Sequence, residues 1–156
     1  MILYSYRKSP DRLLFSVSDN IAELKADYRF MLHTNEGMLE LLVDRGFRWK
    51  GKSFPVPKRF FWTDEDDAYL VHDAIYHNIG LCRDAADSIM RGMLRHIGRG
   101  RIYASSTCWA CNTFARSAFG GDSEMMTANL ERLFLRNCTV NHVIHPNSPE
   151  ASNLDG

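Results

Sequence analysis

The sequence predicts an α+β fold, with a small N-terminal antiparallel sheet followed by a bundle of three to four helices. Three observations carry that reading. Short apolar runs of strand length occupy the first sixty residues, Pro55 and Pro57 interrupt them, and helical periodicity takes over after Trp62. With 156 residues the chain has the usual size of one domain, which is expected over residues 1–145, with 146–156 as a flexible polar tail.

The strands are expected at 13–17, 28–32 and 38–43, all rich in Leu, Phe, Val or Met. Asn35-Glu36-Gly37 is suited to a hairpin loop, because glycine reaches positive φ without a steric penalty. Pro55 and Pro57 cannot donate ladder hydrogen bonds, so the sheet half stops there. Thr63-Asp64-Glu65-Asp66 reads as a capping box opening a helix over about 64–77. A second helix is expected over about 83–97, closed by Gly98 with Arg95 and Arg99 at its negative end. A third spans about 102–119, and its Ala104, Cys108, Cys111, Ala115 and Ala118 make a stripe of small side chains suited to close packing. Residues 123–136 are read as a fourth helix, and 138–144 as a short strand or an extended arm.

A formal net charge of zero argues against bulk attraction to nucleic acid. There is no apolar run of membrane-spanning length, and the first residues do not resemble a signal peptide, so a cytoplasmic or particle-associated protein is expected. Four cysteines at irregular spacing are expected to be thiols.

The concentrated chemistry is His72-Asp73-x-x-Tyr76 followed by Asp87. At about 100° per residue, His72 falls inside the apolar arc of the first helix and Asp73 just beyond its edge. Asp87 lies at the apolar margin of the second helix. A short connection makes these helices antiparallel neighbours, so His72 and Asp87 are expected to meet across the seam. A carboxylate on one imidazole nitrogen fixes the tautomer and leaves the other nitrogen to activate a water. Asp73 offers a hard oxygen donor to Ca²⁺, provided backbone carbonyls from a nearby loop complete the sphere. Against this stands a purely structural His-Asp pair, with Arg91 as another partner for Asp87.

Gly46-Phe47, Ser53-Phe54-Pro55, Ala68 to Tyr76 with His72-Asp73, Ala86-Asp87-Ser88-Ile89-Met90 and Phe119-Gly120-Gly121 follow one another in order. Across about residues 25–121 this pattern resembles a family of uncharacterised domains encoded mainly by bacteriophages and prophages. The helical pair also resembles the core of phospholipases A2. That likeness implies His72 as base, Asp73 as Ca²⁺ ligand, Asp87 and Tyr76 as supports, and phospholipid as substrate. The chain departs from the phage pattern at Trp49-Lys50, where the family has Thr-Asp. The single Gly51 between Lys50 and Lys52 is a poor calcium loop.

Three further features have structural explanations. Cys108-x-x-Cys111 lies within a helix and is read as packing residues rather than a redox or zinc site. Arg45, Arg48, Lys50, Lys52, Lys58 and Arg59 could meet phosphates, although a solvated strand edge neutralised by the acidic run 64–67 explains them better. His33, the first ligand in a metal-dependent phosphohydrolase reading, falls on a strand, whereas that fold is all-helical. The competing non-enzymatic reading is a virion or tail component that joins other phage structural proteins, or copies of itself, through residues 122–156.

Overall fold

The computed structural model describes residues 2–9, 15–18, 21–49, 64–78, 83–118, 132–138 and 142–144. It has the expected α+β architecture. Among the described residues, eight strands and three helices run in the order β1 (Leu3–Lys8), β2 (Phe15–Ser18), β3 (Ile21–Leu24), β4 (Tyr28–Thr34), β5 (Gly37–Val43), β6 (Arg48–Trp49), α1 (Asp64–Asn78), α2 (Arg83–His96), α3 (Arg101–Ala118), β7 (Leu133–Asn137) and β8 (His142–Ile144). All strand pairs are antiparallel, in one sheet ordered β1-β4-β5-β7-β8 and a smaller one ordered β2-β3-β6.

The large sheet is built on alternation. In β4, Tyr28, Phe30, Leu32 and Thr34 point inward while Arg29 and His33 face solvent. Their neighbours Leu39, Leu41 and Val43 on β5, with Leu133 and Leu135 on β7, complete the inner face. On the outer face Glu40 is clamped by Arg29 at 3.1 Å and Arg136 at 3.7 Å, from the strands on either side. The expected hairpin joins β4 to β5: Gly37 takes φ +133°, and the Thr34 hydroxyl donates to its carbonyl.

Residues 133–136, expected in a fourth helix, instead form most of β7. Leu133-Phe134-Leu135-Arg136 alternates buried and exposed, and its backbone completes the hydrogen bonding of β5. A short apolar run fits either period, and here sheet pairing decides. The expected arm is in part a strand: β8 pairs with β7 through Asn137 opposite His142. Residues 123–131 and the proposed tail at 146–156 lie outside the described residues.

The helices begin and end within a residue or so of their expected positions. Helix α2 ends in a C-terminal turn in which Gly98, at φ +88°, donates to Arg95 and the next amide donates to Leu94. Helix α2 packs on α1, α3 and β1. Helix α1 is enclosed, with every residue from Asp67 to Ile75 buried. Among the described residues no helix is long and apolar enough to cross a membrane.

Gly92 marks the tightest seam, since a Cβ added there would stand 2.7 Å from the Leu3 Cβ and 3.1 Å from the Leu3 carbonyl oxygen. Alanine improves helix propensity by about 0.5–1 kcal/mol, while overpacking against backbone costs about 1–3 kcal/mol. The Gly92→Ala variant is therefore expected to be less stable by about 1 kcal/mol in urea denaturation. A gain in stability would show that α2 and β1 are loosely packed.

Candidate functional site

Enclosure of α1 sends ionisable side chains into the interior, and each is met by a specific group. Asp67 is fully buried and receives the Lys8 ammonium from β1 at 2.6 Å. Glu65, also buried, accepts from the Tyr103 hydroxyl at 2.9 Å and the Tyr69 hydroxyl at 3.4 Å, and pairs with Arg99 beyond the end of α2. Sequence reasoning assigned this acidic run to neutralising the basic stretch; Asp67 pairs with Lys8 and Glu65 with Arg99, and Lys50, Lys52, Lys58 and Arg59 lie outside the described residues.

One turn further along α1, the predicted pair forms. His72 Nε2 stands 2.8 Å from Asp87 Oδ1 on α2, and His72 is 4 % exposed. The other ring nitrogen, expected to face water, lies 3.4 Å from Asp73 Oδ1. The imidazole is therefore held between two carboxylates, tightly on one side and loosely on the other. Burial works against charge on the ring, yet hydrogen bonds and attraction from Asp73 and Asp87 outweigh it and raise the His72 pKa to about 9. At neutral pH the ring is an imidazolium donating to Asp87. Asp73 Oδ2 is buried with no hydrogen-bond partner.

Helix α3 forms a third wall. Cys108 donates its thiol to the Asp87 carbonyl at 3.4 Å, tying α3 to α2 behind the dyad. Burial, reinforced by the charge of Asp73, pushes the Cys111 thiol up to about 12, and burial raises Cys108 as well. Both are neutral packing thiols whose small size admits α3 to the site. Sequence reasoning noted the small stripe but not its position over Asp87.

The remaining candidates are placed as follows. Tyr76 follows His72 by one turn of α1, and its side chain lies outside the described part of the structure. His33 is exposed on β4. In the basic stretch, Phe47 and Trp49 belong to the core, while exposed Arg48 pairs with Glu23 across the β3-β6 ladder at 2.9 Å. Lys50, Lys52, Lys58 and Arg59 lie outside the described residues.

Among the described residues no group of three or more His, Cys, Asp or Glu side chains could enclose a metal ion. The Asp73 Oδ2 oxygen, buried without a hydrogen-bond partner, is a single hard oxygen donor.

The folded chain holds the His72 proton more tightly than the unfolded chain, where the imidazole titrates near 6.5. Its stabilising effect is thus complete below pH 6.5 and is lost as pH rises through about 9. Thermal melts across this interval should show falling stability, and His72→Gln should flatten that slope. An unchanged slope in the variant would place the titration elsewhere. Comparison with protein-family models, curated proteins and solved structures finds no match to this chain.

Proposed function

We propose that this protein is an ester hydrolase of the phospholipase A2 type, with His72 as general base, Asp87 as its orienting partner and Asp73 as a ligand for Ca²⁺. One observation carries the reading: Asp87 reaches across from α2 to take Nε2 at 2.8 Å, which aims Nδ1 along α1 toward Asp73. Base and cation ligand are then adjacent residues converging on one point, as activation of a water beside a polarised carbonyl requires.

Asp73 touches the ring only through the 3.4 Å contact, and its second oxygen has no hydrogen bond to break. Rotation of this side chain uncovers Nδ1 while Asp87 still holds the ring. With Asp73 turned away, the ring loses one of the two carboxylates that hold its charge and releases its Nδ1 proton to solvent. A water taking that place then gives its proton to the neutral Nδ1 as its oxygen attacks the ester carbonyl carbon. On collapse of the tetrahedral intermediate the ring returns the proton to the departing alkoxide. Asp73 would hold a Ca²⁺, which would supply positive charge for the developing oxyanion. The phage-like motif order supports a phage-associated setting with phospholipid as substrate class, and Tyr76 is proposed as a further support of the ring.

Hydrolysis of phospholipid by the full chain with Ca²⁺ present, followed by release of fatty acid, tests this. His72→Gln and Asp87→Ala are each expected to lower the rate by a factor of at least about 10². Asp73→Asn is expected to abolish both stimulation by Ca²⁺ and the Ca²⁺-induced rise in melting temperature. A wild type without esterase activity, or a His72→Gln variant as active as wild type, overturns the reading.

A further inference from the structure

The outer face of α3 is the least expected surface of the fold. Ile102 is 87 % exposed and Trp109 is 65 % exposed, two helical turns apart on one line, with Ser105 and Ser106 forming a shallow groove between them. The opposite face of the same helix carries Ala104 and Cys108 into the core and Cys111 toward the His72 site. A soluble helix ordinarily turns its largest apolar residues inward. Here Cys and Ala are inside and Trp and Ile outside.

Among the described residues, the charged side chain lining this face is a cation. Helix α3 contains no Asp or Glu, and Arg101 lines the groove at its N-terminal end. Exposed Arg95 and Arg99 lie at the preceding turn. Glu65, the acid that reaches this corner, is buried beneath Arg99 and Tyr103. In a chain of zero formal net charge, Arg101 leaves exposed positive charge beside these protruding apolar side chains, while Arg99 is balanced by the buried Glu65.

We infer that the Ile102-Trp109 face of α3 docks onto an anionic phospholipid surface, with Trp109 and Ile102 entering the interfacial layer and Arg101 meeting headgroup phosphates. This pattern of apolar insertion bordered by arginine is that of a helix lying in a membrane interface. A symmetric pairing of two copies through the same face would bring their Arg101 side chains together. Nucleic acid offers no apolar phase to cover Ile102. The inference deepens the ester-hydrolase reading by naming its substrate as lipid in an aggregated surface, and it rests on that reading for the chemistry alone.

The test is cosedimentation of the full-length His72→Gln chain with phosphatidylglycerol vesicles and with phosphatidylcholine vesicles, so that binding is measured without turnover. Binding is expected to favour phosphatidylglycerol and to weaken with added salt. It should fall by at least about tenfold in Ile102→Ser/Trp109→Ser and by about fivefold in Arg101→Gln. These side chains are exposed, and circular dichroism checks that each variant is folded. No sedimentation, or equal binding by the double variant, overturns the inference. So does a concentration-dependent dimer that the double variant converts to monomer, since the face then joins two copies. Vesicle binding by a wild type that hydrolyses no ester leaves the docking face standing and removes the hydrolase.

Discussion

The organising constraint is the enclosure of α1. A helix covered by a sheet and by neighbouring helices must find a partner for every ionisable group it carries, because an isolated charge in a low-dielectric interior is prohibitively costly. Helix α1 carries Glu65, Asp67, His72 and Asp73 into that environment. Lys8 answers Asp67 from the first strand, Arg99 answers Glu65 from beyond α2, and Asp87 answers His72 from within α2. These pairs tie α1 to β1, to the α2-α3 turn and to α2, which fixes both its axial position and its rotation. The apolar core supplies burial, while the ionic contacts select one orientation.

Much of this was readable from residue order. The positions of α1, α2 and α3, and the hairpin between β4 and β5, followed from periodicity and from glycine placement, both local properties. The meeting of His72 with Asp87 followed too, because it depends on two helical wheels and a short connection. What escaped was nonlocal. Strand β1 mixes Tyr, Ser, Arg and Lys, and becomes a strand by pairing with β4. The run at Leu133 has no intrinsic preference and takes its conformation from β5. The burial of Asp67 could not be foreseen, because Lys8 lies fifty-nine positions away on an element not yet recognised. Likewise, that Nδ1 would face Asp73 depends on the rotamers of two adjacent side chains, which no pattern encodes.

The three ionic groups are not equally balanced. Glu65 with Arg99 and Asp67 with Lys8 each sum to zero, but His72 faces both Asp73 and Asp87. Among these three side chains the carboxylates outnumber the ring, even when it is protonated. The excess lies beside the one buried carboxylate oxygen of this cluster that has no hydrogen bond. Structural pairs are normally saturated, and a surplus of this sign makes the cluster receptive to a proton or a cation. Small side chains on α3 bring a third wall against it without adding charge.

Strand β5 lies between β4 and β7, and the two partners come from very different parts of the chain. Met38 faces His33 across a tight turn, whereas Val43 faces Leu133, ninety positions later. The three described helices are therefore inserted between neighbouring strands of one sheet. During synthesis the β4-β5 hairpin can form early, but one of its edges stays open until the ribosome has delivered the whole helical segment. Nascent chains of this protein thus pass through a stage with an unsatisfied apolar edge, a stage in which chaperones or neighbouring polypeptides can compete for β5.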